Sequence, residues 1–170
     1  MKSQSDHEEI EPLAIIRQFN TDHIKYLLIG SMALSMHSAP FGSADWDFWI
    51  DVSDRKKVYL ILEKFRLSGD YEAAEKKPLV TFTNDDYFKL DVFFVKAFSN
   101  RNKGITLAFK DVIERAVIKK DPKGDFFVRV PAIDDLLSML KIIEDPSLQH
   151  SKHIEYLEAL RKQSQARKAK

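Results

Sequence analysis

The chain has 170 residues, a length typical of a single domain. Its 27 basic and 26 acidic residues leave a formal net charge of +1, so no global field would attract nucleic acid or an anionic membrane. The absence of cysteine excludes disulfides and thiolate metal sites. A polar N-terminus and the lack of a long apolar run predict a cytoplasmic protein without membrane contact.

Hydrophobic periodicity predicts a chain that alternates between helices and strands. Apolar residues at helical spacing predict helices, and short β-branched or aromatic runs between turn signals predict strands. In chain order we expect a helix over 9–20, a strand over 26–29, a helix over 32–37, a strand over 45–51, a helix over 53–67 capped by Ser53, and strands over 79–83 and 87–95 around a turn at 84–86. There follow a short element over 105–108, a helix from 110, strands over 116–119 and 126–130 around a turn at 121–124, a helix over 132–144 and a helix after Pro146. The polar tail over 161–170 is expected to fray.

Two aspartates share one face of the second predicted strand. Successive side chains on a strand alternate between faces, so Asp45 and Asp47 project together while Trp46 and Phe48 point into the core. Adjacent carboxylates repel each other unless a cation lies between them. Asp91 interrupts an otherwise apolar strand, where a buried acid without a partner is costly.

The three aspartates have the chemistry of a divalent metal site. If the strand of Asp91 neighbours that of Asp47, rigid strands bring the carboxylates together, and Mg²⁺ or Mn²⁺ prefers such oxygen ligands. Gly30-Ser31 follows the first strand and opens a helix, where glycine lets the backbone approach an anion closely and the free N–H groups face it. We therefore expect a metal-assisted phosphate site. An acidic pair on a strand is also common on a solvated surface, so the combination carries the prediction.

The order Ile29-Gly30-Ser31, Asp45-Trp46-Asp47 and Asp91 resembles the signature of the nucleotidyltransferase superfamily. Within it the chain is most similar to the small bacterial members, the minimal nucleotidyltransferases and the AbiEii-type toxin components. The resemblance implies an α+β fold, in which a mixed β-sheet is flanked by helices and a small C-terminal helical lobe is added. Residues 1–130 would form the nucleotidyltransferase-like part, and 131–170 would be a helical extension with a basic tail.

The resemblance also implies an activity and a set of site residues. Asp45, Asp47 and Asp91 would hold Mg²⁺ or Mn²⁺ and act in catalysis, transferring a nucleoside monophosphate from a nucleoside triphosphate to an acceptor hydroxyl. Gly30 and Ser31 would bind the β and γ phosphates. Lys141, on the helix after Pro131, is the further candidate for nucleotide binding, with a surface lysine as the alternative. The acceptor would be a protein, a tRNA or a small molecule, and a toxin–antitoxin or defence role is implied.

Two alternatives come from other classes of protein. Phe41 replaces an arginine that is frequent in the family, and Tyr156 stands where an acid is frequent, so a catalytically inactive domain that binds a protein partner is the first alternative. A nucleic-acid-binding module that uses the basic tail is the second, with a solvated tail more common at this length. His150 and His153 are expected at a helix start or on the surface, since cysteine is absent and no acid is obviously beside them.

Overall fold

The computed structural model describes residues 12–40, 45–69, 77–84, 88–120, 126–143 and 147–168. The helices are α1 Pro12–Thr21, α2 Gly30–Met36, α3 Arg55–Lys64, α4 Phe109–Glu114, α5 Ile133–Ile142 and α6 Leu148–Lys168, with 3₁₀ turns at Val52–Asp54 and Arg101–Lys103. The strands are β1 Tyr26–Ile29, β2 Trp46–Ile50, β3 Ser68–Gly69, β4 Leu79–Thr83, β5 Lys89–Phe93, β6 Ala97–Asn100, β7 Ile105–Ala108, β8 Val117–Lys120 and β9 Phe127–Val130.

A five-stranded mixed sheet in the order β1-β2-β5-β4-β3 forms the centre of the fold. The strands β2 and β5 are parallel, whereas the other neighbours are antiparallel. Two further hairpins, β6-β7 and β8-β9, lie outside this sheet. The expected α+β class with a mixed sheet flanked by helices is confirmed.

The helices α1 and α3 cover the face of the sheet opposite to the aspartates. Phe19 of α1 contacts the rings of Tyr26 and Phe48, with centroids 5.6 Å and 5.5 Å away. On α3, Tyr59 lies 5.6 Å from the ring of Phe82 on β4. Every second residue of β2 and β5 is apolar and packs under these helices. The residues between them project from the other face of the sheet, where acids can be carried.

Both tryptophans pack within the protein, as was expected for Trp46. Trp46 stacks on Phe48 with centroids 6.4 Å apart and an angle of 17° between the rings. Trp49 is fully buried, and its indole N–H donates to the carbonyl of Val95 at 2.7 Å. Its ring lies 4.5 Å from that of Phe98, so β6 closes one end of the aspartate-bearing face.

The structure corrects several expected boundaries. The side chain of Asp51, and not that of Ser53, caps the start of the third helical segment, because its carboxylate accepts the N–H of Ser53 at 2.9 Å and a 3₁₀ turn precedes α3. The strands β3 and β6 were not expected. The tail does not fray at residue 161, since α6 continues to Lys168 through a run of good helix formers. The expected helix start at 9–11, the loop at 41–43 and the turns at 85–86 and 121–124 lie outside the described residues.

No helix within the described ranges is long and apolar enough to cross a membrane.

Candidate active site

Asp47 and Asp91 lie directly opposite each other on the parallel strands β2 and β5. Neighbouring strands are about 4.8 Å apart, so two opposed residues on one face present their carboxylates side by side. The flanking residues Phe48 and Val92 are fully buried on the other face. The alternation of both strands therefore places the two acids on the face that α1 and α3 leave uncovered.

Asp45 stands one residue before β2 and is exposed. Its negative charge reaches Asp47, whose carboxyl has a strongly altered proton affinity. Burial raises the pKa of Asp47 to about 6, the charges of Asp91 and Asp45 contribute in the same direction, and Lys89 opposes them. The site thus concentrates negative charge where solvent screens it poorly, and a cation would relieve that repulsion.

Asp91 is held on both of its carboxylate oxygens. The hydroxyl of Thr81, its cross-strand partner on β4, donates to one oxygen at 2.5 Å. The ammonium of Lys89 lies 2.8 Å from the other oxygen. Sequence reasoning missed both residues. The spacing of Lys89, two positions before Asp91, could have placed it on the same face, whereas Thr81 could be found only from the strand register.

Gly30 is required where β1 turns into α2. Its φ is +67°, in the left-handed region that favours glycine. A Cβ atom built at Gly30 would overlap the carboxylate oxygen Oδ2 of Asp47. The close approach of this backbone to an acid is therefore a feature of the structure, and Ser31 follows it in the first turn of α2.

A cavity of about 420 Å³ opens beside Asp47 and extends to the C-terminal helices. Its volume falls in the range of small-molecule sites. The wall on the sheet side includes Gly30, Ser31, Asp47 and Phe93. The opposite wall is largely apolar and includes Leu136, Met139, Leu140 and Ile142 of α5, with His150 and His153 of α6.

Of two residues on the C-terminal helices, Lys141 lies where the surface alternative places it, whereas His153 is placed differently from expectation. Lys141 does not line this cavity; its side chain is exposed, and its ammonium lies 3.8 Å from a carboxylate oxygen of Glu158 on α6. His153 is not on the surface but buried, because α6 packs its face against the cavity. Burial, together with the charge of His150, lowers the pKa of His153.

Hydrogen bonds from the C-terminal part of the chain fix the end of α2. The hydroxyl of Tyr156 on α6 donates to the carbonyl of Ser38 at 2.6 Å. The ring nitrogen Nε2 of His37 lies 2.9 Å from the carbonyl of Pro131, and it is the donor of that hydrogen bond. Tyr156 thus has a structural role at the position where the family often has an acid. Phe41 lies outside the described residues.

The donor set fits a hard divalent cation in chemistry, but not in its present arrangement. Carboxylate oxygens from Asp45, Asp47 and Asp91 are the ligands that Mg²⁺ and Mn²⁺ prefer. Within the described part of the chain, no three His, Cys, Asp or Glu side chains converge closely enough to hold a metal ion as they stand. The expected convergence of three acids is therefore only partly realised: Asp47 and Asp91 are paired across the strands, and the Asp91 carboxylate binds Thr81 and Lys89.

No protein-family model matches the chain, and no curated protein sequence matches it. Several solved structures are similar. The lincosamide antibiotic adenylyltransferase LnuA, bound to lincomycin, has a TM-score of 0.60 at 14% identity, covering 86% of this chain and 93% of its own. A Thermotoga maritima protein proposed to be a nucleotidyltransferase has a TM-score of 0.57 at 14% identity, covering 94% and 98%.

The antibiotic-resistance factor ANT(2″)-Ia in solution has a TM-score of 0.51 at 14% identity, covering 91% of this chain and 89% of its own. Its complex with adenylyl-2″-tobramycin has a TM-score of 0.50 at 15% identity. These likenesses extend over nearly the whole chain. The chain therefore has the fold of the nucleotidyltransferase superfamily.

Proposed function

We propose that the protein is a metal-dependent nucleotidyltransferase, which moves a nucleoside monophosphate from a nucleoside triphosphate to an acceptor hydroxyl. The observation that carries the proposal is the pairing of Asp47 with Asp91 on adjacent parallel strands, with Gly30 packed against Asp47. The nucleotidyltransferase fold supports the same conclusion, and Asp47 of this pair lines a cavity.

Each site residue has a role in this proposal. Asp45 and Asp47 would bind the metal ions, and Asp91 would bind the ion on the acceptor side. When bound, Mg²⁺ or Mn²⁺ would supply positive charge that stabilises the attacking and leaving oxygens. Gly30 and Ser31 would receive the β and γ phosphates on their backbone N–H groups. Lys141 stays a candidate for a phosphate contact, for which it would have to leave Glu158.

The two parts of the chain would act together. We assign residues 1–130 to the nucleotidyltransferase-like part and 131–170 to a helical extension of the same unit. The extension supplies the apolar wall of the cavity through α5. A transfer reaction needs both substrates close to the metals, and this wall would hold the less polar of the two.

A small molecule is the acceptor class that the cavity supports best. Its volume of about 420 Å³ accommodates a group of nucleoside or drug size. Two of the similar structures contain lincomycin or adenylyl-2″-tobramycin, both of which are small molecules. A protein or a tRNA, as in a toxin–antitoxin or defence component, is the other class to be tested.

A catalytically inactive domain that binds a protein partner is the second candidate. It is favoured by the way in which Thr81 and Lys89 occupy both oxygens of Asp91, and by the structural role of Tyr156. Such a domain would keep the fold and the acid pair without responding to a triphosphate in the presence of a metal.

Thermal unfolding with ligands tests the proposed function. We expect Mg²⁺ together with one of the four nucleoside triphosphates to stabilise the wild type by about 2.7 kcal/mol when the ligand concentration is 100 times Kd. This corresponds to a rise of several degrees in the unfolding midpoint. Asp47→Asn should abolish this shift. If no triphosphate with Mg²⁺ or Mn²⁺ raises the midpoint of the wild type, the enzyme proposal is wrong and the partner-binding domain remains. A positive result leads to acceptor screening with radiolabelled triphosphate, beginning with lincomycin and tobramycin.

A further inference from the structure

Lys89 provides a positive charge inside the acid cluster of Asp45, Asp47 and Asp91. It lies on β5 two residues before Asp91, so its side chain leaves the strand on the same face. Its ammonium is 2.8 Å from Oδ2 of Asp91. The hydroxyl of Thr81 holds Oδ1 of the same carboxylate. The carboxylate of Asp91 therefore has a fixed orientation and a cation already beside it.

The side chain of Lys89 is also able to leave this position. It is 47% exposed, whereas the side chain of Asp91 is only 14% exposed. An exposed ion pair contributes little net stability, because its partners exchange readily with water and salt. A lysine ammonium on a flexible four-carbon stem is thus an exchangeable counter-ion, unlike a buried arginine that binds a carboxylate through two nitrogens.

We propose that Lys89 is the internal counter-ion of the acid cluster and competes with a divalent cation for Asp91. This inference rests on the proposed function only in taking the acids as the cation site. In the metal-free protein the ammonium balances part of the charge and occupies Oδ2 of Asp91. A cation that enters must displace Lys89 from Oδ2 or accept its repulsion, so free metal binds weakly.

The competition between Lys89 and the cation also couples the binding of metal to the binding of nucleotide. Once it leaves Asp91, the ammonium of Lys89 remains on the face that carries the acids. A triphosphate is the anion that would receive it there. Metal and nucleotide therefore stabilise each other's binding, since the nucleotide offers the displaced ammonium a new partner.

Binding of Mn²⁺ without nucleotide tests the competition directly. Free Mn²⁺ is measured by electron paramagnetic resonance during titration of the wild type, Lys89→Met and Lys89→Arg at low ionic strength. Removing one positive charge a few ångströms from a divalent ion should tighten binding in Lys89→Met by roughly tenfold. Lys89→Arg retains the charge and should stay close to the wild type. Higher salt should shrink the difference, because mobile ions screen exposed charges.

The matched control is Lys57→Met. Lys57 is also exposed, at 62%, and its ammonium lies 3.8 Å from the carboxylate of Asp54, away from the cluster. The same charge is lost there, so its Mn²⁺ affinity should equal that of the wild type. Circular dichroism and the unfolding midpoint verify that the variants fold.

The outcomes separate this inference from the proposed function. If Lys89→Met binds Mn²⁺ no more tightly than the wild type, or if Lys57→Met gains as much, the counter-ion role is wrong, even where a triphosphate stabilises the wild type. If Lys89→Met gains affinity and no triphosphate stabilises the wild type, the acids are a cation site and the transferase proposal fails alone.

Discussion

Replacing Asp47 with asparagine should make the metal-free protein more stable at neutral and alkaline pH. Burial and the charges of Asp91 and Asp45 raise the pKa of Asp47 to about 6, against 3.8 for the unperturbed group. The folded protein keeps the proton up to about pH 6, while the unfolded chain releases it near pH 4. The contribution of Asp47 to stability is therefore full below about pH 4 and is lost as the pH rises through 6. The asparagine side chain does not ionise, so the variant avoids this loss.

The size of the effect follows from the shift in pKa. Two pKa units correspond to about 3 kcal/mol, which partial exposure of the carboxylate reduces to about 1 to 2 kcal/mol. For a chain of this length, that is about 3 to 6 °C in the unfolding midpoint. The free energy of unfolding is measured with urea in EDTA at pH 4.5 and pH 8. A variant that is no more stable than the wild type at pH 8, or that gains equally at both pH values, would refute the reasoning.

Asp51→Ala is a control with the opposite sign. Burial alone would raise the pKa of Asp51, but hydrogen bonds from the hydroxyl and the N–H of Ser53 outweigh it and hold that pKa below its ordinary value. Its stabilising contribution is thus present above the unfolded pKa and is lost as the pH falls through the folded pKa. Asp51→Ala should lower stability at pH 8 by about 1 kcal/mol, as the loss of a helix cap does, and by less at low pH. Urea unfolding at the two pH values measures the difference, and an equal loss at both would contradict it.

Two further substitutions address the backbone around the site. Gly30→Ala should lower the free energy of unfolding by at least about 1 to 2 kcal/mol, since the φ of +67° disfavours any side chain and the methyl group would press on the carboxylate of Asp47. Urea unfolding measures this loss, and the stabilisation of the variant by metal and triphosphate should vanish. A variant as stable as the wild type would show that the turn adapts. Tyr156→Phe removes the hydroxyl that donates to Ser38 and should cost about 1 kcal/mol, with the ligand-induced shift in midpoint retained. Loss of that shift would instead assign Tyr156 to the chemistry.

The acid-bearing strands were predictable because each follows one simple pattern. Along 45–48 polar and aromatic residues alternate, which fixes the face of Asp47 before any partner strand is known. Asp91 is conspicuous because its neighbours at 90 and 92–95 are apolar. Their pairing was only a conditional expectation, since neighbouring strands are far apart in sequence, and the register Asp47–Asp91 became visible in the structure.

The features that the sequence did not reveal depend on tertiary contacts. Thr81 reaches Asp91 only through the register of β4 with β5. His153 is buried because α6 packs against the cavity, although its own helix has a weak apolar pattern. Lys141 was predicted to bind nucleotide from the resemblance of its helix to one in the family, whereas its ammonium lies near Glu158 on a neighbouring helix. Contacts between residues far apart in sequence determine all three features, and the local sequence pattern does not contain this information.

The packing of the two tryptophans gives the molecule a built-in optical probe. The chain has only two, and Trp46 lies between two of the acids in sequence, on the opposite face of the same strand, and is partly exposed. Trp49 is sealed among Phe98 and Phe109 and hydrogen-bonded to a carbonyl. We expect a cation that draws Asp45 and Asp47 together to move the backbone that carries Trp46, and to move Trp49 less, because its buried indole is held by a hydrogen bond to Val95. The emission of one indole therefore reports on the acids, and that of the other serves as an internal reference.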